Sequence, residues 1–316
     1  MTQNNNLSPW HGDRKQWLLE KEQEAQALLH LSEKICRQLF ASGDLSGFLA
    51  LLSRLHQYDY RNLLLIYHQY PSATCLGSFS VWKKLHSDPA KMVLNQKGVK
   101  RGIRLLAPFT VYDKGSYHLI WYSVRQYDIS QTNLTDYPVS ASPYQLDDKH
   151  IEYLTEAVRS VLSDSFQKSL LLLPKQHSGL APQLSYTITP EAVVMRSKES
   201  MIHRLQYMTE SMGRLSANQG LLPSAQQTLF AQCICHSLFN IWGHPNQYPA
   251  PGSGNRIISI PVETQLPFLD LLQRTVRQLE ESVACAYRIL RRDADTDLLD
   301  STSIEEFLGF QPGINL

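Results

Sequence analysis

A run of basic residues in the first third of the sequence could bind phosphate groups. Its members are Lys83, Lys84, Lys91, Lys97, Lys100, Arg101 and Arg104, and Asp88 alone opposes them within the run. The whole chain has a formal net charge of +1, so the run is locally basic while the rest of the chain is balanced or acidic. Clustered lysines and arginines neutralise nucleic-acid phosphates, but most charge runs are solvated surface loops. Both interpretations are open from the charges alone.

The stretch before this run is rich in aromatic and apolar residues. Residues 55–70 carry apolar side chains at helical spacing, which predicts one amphipathic helix that contains Tyr58 and stops before Pro71. Asn62 lies inside this helix, where asparagine has poor propensity. Its amide either is exposed or bonded to its own helix, or it contacts the backbone or a base edge of a partner.

Residues 79–85 predict a short helix that Ser78 caps. We expect Trp82 to pack from this helix into the core, while Lys83 and Lys84 face outward. A basic segment with interleaved aromatics is typical of proteins that bind single-stranded nucleic acid, because cations pair with phosphates while rings stack on unpaired bases. The predicted nucleic-acid-binding residues are Tyr58, Asn62, Trp82, Lys83, Lys84, Lys97, Lys100, Arg101 and Arg104.

Several motifs of this stretch resemble a known family. They are Tyr58-x-x-x-Asn62-Leu-Leu-Leu-Ile66, Gln69-x-Pro71-x-Ala73-Thr74, Phe79-x-x-Trp82-Lys83, Gly102-Ile103-Arg104-Leu105-Leu106-Ala107-Pro108 and Tyr127-Asp128-Ile129-Ser130-Gln131-Thr132. In this order they resemble the N-terminal domain of the ArdC-like antirestriction proteins, in particular the LtrC-type branch carried by mobile elements of Gram-positive bacteria. The resemblance implies a single-stranded-DNA-binding domain joined to a C-terminal zincin-type metallopeptidase domain. This chain departs from the pattern at 93–102, where the basic turn carries about one extra residue.

The zinc site that the resemblance implies is missing from the C-terminal part. A zincin helix places two histidines one turn apart in His-Glu-x-x-His, and the glutamate activates the bound water. The nearest stretches read His203-Arg204-Leu205-Gln206-Tyr207 and Thr209-Glu210-Ser211-Met212-Gly213, and the next helix has Gln226 or Thr228 where the family has an acidic ligand. The sequence therefore predicts no catalytic residue, no bound metal and no cofactor.

A substitute metal site could be built from His203 with the cluster Cys233-Ile234-Cys235-His236. On a helix, however, Cys233 and Cys235 point roughly 200° apart and cannot share one metal without unwinding. We therefore favour their interpretation as small buried core residues. The chain has five scattered cysteines, an odd number that indicates reduced thiols in a cytoplasm and not a disulfide framework.

The length of 316 residues suggests two domains or one large one, and 43% apolar with 19% charged residues describes an ordinary soluble globular protein. The order of a few strands followed by packed helices predicts the α+β class. We expect N-terminal helices packed on a small β-sheet, followed by a helix-rich zincin-like domain. The expected boundaries are a disordered tail at 1–12, the DNA-binding domain at 13–140 and the zincin-like domain at 141–316. The N-terminus has no signal-peptide pattern, and no apolar run is long enough for a membrane span, so no membrane partner is expected.

The helices and strands are predicted from apolar periodicity, helix caps and turn residues. A hairpin is expected around Lys114-Gly115. The predicted helices span 14–41, 45–55, 55–70, 79–85, 147–162, 198–215, 223–242 and 266–292, and the predicted strands span 103–112, 118–124, 170–173 and 184–194.

The leading functional hypothesis is a non-enzymatic protein of a mobile genetic element that binds single-stranded DNA in antirestriction or in protection of transferred DNA. A host defence or conjugation protein is a further candidate partner. Two alternatives remain: a cryptic metallopeptidase with non-standard ligands, and a protein antagonist of a host defence system that does not touch DNA.

Overall fold

The computed structural model describes residues 14–94, 102–113, 116–134, 144, 147, 149–173, 186–245, 248, 251 and 260–296. The helices are α1 (Arg14–Ser42), α2 (Ser46–Leu55), α3 (Tyr60–Gln69), α4 (Phe79–Leu85), α5 (His150–Phe166), α6 (Met201–Gln219), α7 (Ser224–Ile241) and α8 (Val262–Thr296). The strands are β1 (Leu76–Gly77), β2 (Ile103–Asp113), β3 (Ser116–Asp128), β4 (Ser169–Leu173), β5 (Tyr186–Ile188) and β6 (Ala192–Arg196). The predicted α+β class is confirmed. No helix in the described ranges is both long and apolar enough to cross a bilayer.

The contacts of the chain separate it into two compact units. Unit 1 comprises Met1–Ser142 and Thr209–Gln278, and unit 2 comprises Pro143–Met208 and Leu279–Leu316. The predicted continuous domain at 141–316 is therefore divided, because α7 and parts of α6 and α8 group with the N-terminal residues.

The helix predicted over 55–70 is confirmed as α3 over Tyr60–Gln69, but its predicted start is wrong, because a turn that contains Tyr58 separates α2 from α3. Asp59 starts α3, since its carboxylate accepts hydrogen bonds from the backbone N–H groups of Arg61 and Asn62 at 3.0 and 3.1 Å. Burial raises the pKa of the Asp59 carboxyl above its ordinary value, against the opposing effect of these hydrogen bonds. The local N-cap therefore overrides an apolar periodicity that continues across the turn.

The β2 and β3 strands form the antiparallel hairpin that the sequence predicts. The register runs without a bulge from the pair Ile103 and Gln126 to the pair Asp113 and Ser116, so β3 is longer than the predicted strand at 118–124. The short strand β1 pairs with the other edge of β3, which gives the sheet order β1-β3-β2.

Helix α3 closes the outer edge of β2 with two side-chain amides. The Asn62 amide accepts from the N–H of Leu106 and donates to the C=O of the same residue, both at 2.8 Å. Gln69 does the same with Arg104, at 3.0 and 2.9 Å. The next outward-facing position of the strand is Pro108, which has no N–H to satisfy. The edge is thus protected against pairing with another strand.

The end of β3 is fixed by one buried carboxylate. Asp128 is 1% exposed, and its Oδ2 accepts from the backbone N–H groups of Thr74 and Cys75 at 2.6 and 3.0 Å. Its Oδ1 accepts from the N–H and the hydroxyl of Ser130, while its own N–H donates to the Gln131 side chain at 2.8 Å. Asp128 therefore ties the segment that leads into β1 to the turn that follows β3.

The apolar core of unit 1 lies among its helices. The Phe268 ring of α8 makes edge-to-face contacts with Phe40 of α1 and Phe230 of α7, with ring centroids 5.9 and 5.5 Å apart. Helix α2 packs against α3 and α7 and buries six of its residues, among them Phe48. These aromatic contacts explain why α7 and the first half of α8 belong with the N-terminal helices.

In unit 2, β4 runs parallel to β6 and β5 runs antiparallel to it, in the order β4-β6-β5. The single strand predicted over 184–194 is two strands, because a turn closed by the Thr189 N–H and the Ala192 C=O at 2.8 Å reverses the chain.

Buried polar side chains join α5 to the end of α8 in unit 2. The Tyr144 hydroxyl donates to Glu280 at 2.8 Å, and His150 Nδ1 lies 3.0 Å from the Tyr287 hydroxyl. Both His150 and Glu280 are nearly inaccessible to solvent. These partners satisfy polar groups that would otherwise be costly to bury.

Replacement of Asn62 by alanine should destabilise the protein by about 2 kcal/mol or more, because the buried N–H and C=O of Leu106 lose their partners. The loss should exceed the small gain in helix propensity that alanine brings. Chemical denaturation measures the difference. The exposed Gln23→Ala on α1 is the matched control, and its unfolding midpoint should stay unchanged. Equal midpoints for both variants would contradict the role of this amide.

Candidate nucleic-acid interface

Trp82 holds the short helix α4 onto the sheet. It is the one buried residue of this helix, at 1% exposure, and its indole N–H donates to the Tyr127 carbonyl at 2.9 Å. Its ring packs in a small apolar cluster with Met92 and Ile129. The predicted packing of Trp82 into the core is confirmed, and its assignment as a nucleic-acid-binding residue is corrected, since neither face nor N–H is accessible to a ligand.

The remaining large side chains of α4 point away from the core and form what we call the α4 surface. It consists of Phe79, Val81, Lys83, Lys84 and Leu85, all exposed, with Phe79 at 40% exposure. The Ser78 hydroxyl caps the helix and accepts from the Val81 N–H at 3.3 Å. Phe79 and Lys83 are four residues apart and lie on one side of the helix. A ring and an ammonium group therefore stand side by side on a helix that the core holds in place.

Two further residues from the predicted set have roles inside the fold. The Tyr58 hydroxyl donates to the Gln126 side chain at 2.9 Å, and burial raises the pKa of Tyr58 to about 12, so the hydroxyl stays protonated at neutral pH. The Asn62 amide donates to Asp59 at 2.6 Å in addition to its two bonds with Leu106. The expected contact of Asn62 with a partner is corrected to a contact with the edge of β2, since both N–H groups are already used.

Arg104 is half-buried on β2 and lies directly opposite Arg125 of β3. The chain enters β2 through Gly102 at a φ of 69°, a conformation that favours glycine. A Cβ at Gly102 would lie 2.8 Å from a carbon of the Tyr127 ring, which also requires glycine. Lys97, Lys100 and Arg101, which precede this glycine in the sequence, lie outside the described residues.

Phe79 and Arg125 were missed in the sequence. Phe79 had no usable signal, because it lies three residues before the anchoring Trp82, and this spacing predicts that it packs beside Trp82 and not that it is exposed. Arg125 required the hairpin register, which places it opposite Arg104.

The first stretch that could have replaced the zinc motif does not fit a metal. His203 is exposed, stacks on Tyr207 with ring centroids 6.3 Å apart, and has Nδ1 3.6 Å from a Glu199 oxygen. Arg204 donates to the Glu199 carbonyl at 3.0 Å. An arginine held against the backbone and a tyrosine ring supply neither the second imidazole nor the base that a zincin site needs.

The second stretch is closed by helix packing within unit 1. A Cβ on Gly213 would lie 2.7 Å from the Cα of Ala231, so the backbones of α6 and α7 meet at this point. An imidazole in place of Gly213 has no room. The Glu210 carboxylate is ion-paired with Arg214 at 2.9 Å, and Gln226, at 4% exposure, is an amide where a charged oxygen would be needed. The residues present therefore do not fit the zinc ion that the sequence resemblance implies.

The Cys/His cluster of α7 does not form a site either. Cys233 and Cys235 are fully buried in a continuous helix, and burial raises the pKa of both thiols well above the ordinary range. His236 Nδ1 lies 3.0 Å from the Tyr248 carbonyl, and its Nε2 lies 3.1 Å from the Asn240 amide nitrogen. Within the described ranges, no three or more histidine, cysteine, aspartate or glutamate side chains could together hold a metal ion.

No protein-family model matches the sequence, and the curated proteins give no significant match. Among solved structures, the chain is similar to two crystal structures of the antirestriction protein ArdC from plasmid R388, one metal-free and one with Mn(II) bound. The metal-free structure aligns with a TM-score of 0.39 over 76% of this chain and 86% of that one. The Mn(II)-bound structure aligns with a TM-score of 0.44 over 84% and 97%, and the sequence identity is 12% in both.

Replacement of Gly213 by alanine should destabilise the protein by about 1–3 kcal/mol, because the added methyl group meets the backbone of Ala231. Whether the variant is destabilised or stabilised is informative, since replacement of glycine by alanine within a helix otherwise stabilises a protein by roughly 1 kcal/mol. Asn218→Ala, at an exposed position of the same helix, is the control and should be neutral or stabilising. Thermal unfolding of both variants measures the difference, and a stabilised Gly213→Ala protein would show that the two helices have room between them.

Protein purified without chelator should contain well under one equivalent of zinc. Its melting temperature should not change in excess chelator, because a metal that binds only the native state would raise that temperature and its removal would lower it. Elemental analysis and a thermal scan test both statements. Stoichiometric zinc that survives dialysis would overturn this prediction and support the cryptic metallopeptidase.

Proposed function

We propose that this chain is a non-enzymatic protein that binds single-stranded DNA. The observation that carries the proposal is the α4 surface, where Phe79, Lys83 and Lys84 face solvent on a helix anchored by Trp82. Two lysines supply the phosphate interaction, and an exposed ring stacks on an unpaired base, which contributes about 1–3 kcal/mol. The buried anchor fixes the backbone of α4, so that binding has to order these side chains but not the helix that carries them.

Duplex DNA should bind less well to this surface than single strands. In a duplex the base faces are already stacked on one another, so a ring such as Phe79 finds no free face. The phosphate interaction of Lys83 and Lys84 remains in both forms. Neither interaction reads a base edge, so little dependence on sequence is expected.

The basic residues that precede β2 in the sequence are further candidates for phosphate contacts in this proposal. Lys97, Lys100 and Arg101 are separated from Arg104 by only a few residues. The sequence resemblance to ArdC-like proteins supports a context in a mobile genetic element, in the bacterial cytoplasm, with a role in antirestriction or in protection of transferred DNA. The remainder of the chain would act as a pseudo-metallopeptidase scaffold, or as the surface for a host defence or conjugation protein.

Phe79→Ala should weaken binding of a fluorescent thymidine oligonucleotide by roughly tenfold, with little change in the dependence on salt, because stacking is removed while the phosphate interactions stay. Lys83→Gln together with Lys84→Gln should flatten the log–log salt dependence by roughly 0.7 for each phosphate that the protein no longer neutralises. Fluorescence anisotropy over a salt series measures both quantities.

Two matched variants serve as controls. Val262→Ala removes an exposed apolar side chain from the first turn of α8, away from the α4 surface, and Lys34→Gln removes an exposed charge from α1. Both should bind as the unaltered protein does. If the unaltered protein fails to bind single strands even at low salt, the proposal falls and the antagonist hypothesis replaces it.

A further inference from the structure

Two arginines face each other at the closest distance that an antiparallel sheet allows. The Arg104 N–H and C=O both bond to Gln69, away from β3, so Arg104 and Arg125 form a non-hydrogen-bonded pair. Directly opposite residues in such a pair have Cα atoms about 4.5 Å apart, and their side chains project from the same face. Like charges in this arrangement destabilise a hairpin unless an anion lies between them.

Among the described residues, the two guanidinium groups also lack the hydrogen-bonding and ion-pairing partners that other arginines have. Among the arginines whose side chains the structure describes, the others make a hydrogen bond, an ion pair or another polar or ring contact within the protein. Arg104 and Arg125 make no side-chain hydrogen bond or ion pair to any described residue. Arg125 is exposed and Arg104 half-buried, so both groups can be reached from solvent.

The acidic group within electrostatic reach of Arg104 is Glu24 of α1. Its carboxylate is already bound by the Lys21 ammonium group at 2.8 Å, and this contact is the main cause that lowers the pKa of Glu24. Glu24 therefore carries one negative charge against the positive charges of Lys21 and Arg104, and cannot offset both. The two positive charges remain on a backbone that the hairpin and Gln69 hold in place.

We infer that Arg104 and Arg125 together clamp one phosphodiester group of a bound single strand. This inference rests on the proposed function and names the interaction that fixes the strand on the sheet. Two planar guanidinium groups side by side present several N–H donors to the oxygens of one phosphate. The anion would also remove the repulsion between the two arginines, so the free protein holds a preformed site.

The test compares Arg104→Gln, Arg125→Gln and the double variant in the binding of a fluorescent thymidine oligonucleotide across a salt series. Each single variant should weaken binding and lower the log–log salt slope by roughly 0.7, which corresponds to one neutralised phosphate on a single strand. The double variant should lower the slope by little more than either single one, because both side chains hold the same phosphate. Arg274→Gln on α8, where an exposed arginine pairs with Asp270, removes the same charge elsewhere in unit 1 and should change nothing.

Folding is followed in the same samples by thermal unfolding. Substitution of either arginine should leave the melting temperature unchanged or raise it, since repulsion is relieved. Arg125→Lys keeps the charge but loses the planar fork, so it should weaken binding with little change in the salt slope.

The possible outcomes distinguish failure of the arginine clamp from failure of the proposed function. If the unaltered protein binds single strands and neither arginine variant changes affinity or slope, the clamp is wrong while the proposed function stands. A double variant whose slope falls by twice as much as that of the singles would also overturn the clamp, because the arginines would then hold separate phosphates. If the unaltered protein binds no single strand, the proposed function and the clamp both fall.

Discussion

The pairing of two α3 amides with the outer edge of β2 is the constraint on which the N-terminal architecture depends. An isolated two-stranded hairpin has unpaired N–H and C=O groups on both edges and is at best marginally stable. Asn62 and Gln69 are two helical turns apart, so their amides face the same side and satisfy two alternate residues of β2. The helix therefore takes the place of a neighbouring strand, and it fixes both the position of β2 and the direction of its side chains.

That constraint decides which polar residues remain available for a ligand. Asn62, Tyr58 and Trp82 direct their polar atoms to the backbone or side chains of the sheet, at distances of 2.8 to 2.9 Å. The charged side chains that the sheet cannot use face solvent. Buried amides and rings thus hold the scaffold, while cations and several rings, among them Phe79, Tyr117 and Trp121, stay exposed to solvent.

Local patterns in the sequence predicted much of this fold. The features that were not predicted depend on contacts between residues far apart in the sequence. The Ser78 cap, the α1 helix and the hairpin turning near 114–115 follow from spacing and turn chemistry. A turn centred there already implies that residue 104 lies opposite residue 125, although the sequence alone does not show that the two side chains lack internal partners. The role of Asn62 was out of reach, because its partner Leu106 is 44 residues away. The break at Asp59 was missed because apolar periodicity continues across it.

The same distinction between local and distant contacts explains how much of the missing metal site could be predicted in the C-terminal part. The absence of a second histidine from both candidate stretches is visible in the sequence, but the reason that none could be accommodated is not. Gly213 lets two helix backbones approach to a distance at which even a methyl group would clash with Ala231. Helix packing occupies the volume that an imidazole and a metal ion would need, and the carboxylate of Glu210 is held by Arg214 on its own helix. Metal binding at this position would therefore require separation of α6 and α7 as well as new ligands, so packing excludes the ion in addition to side-chain identity.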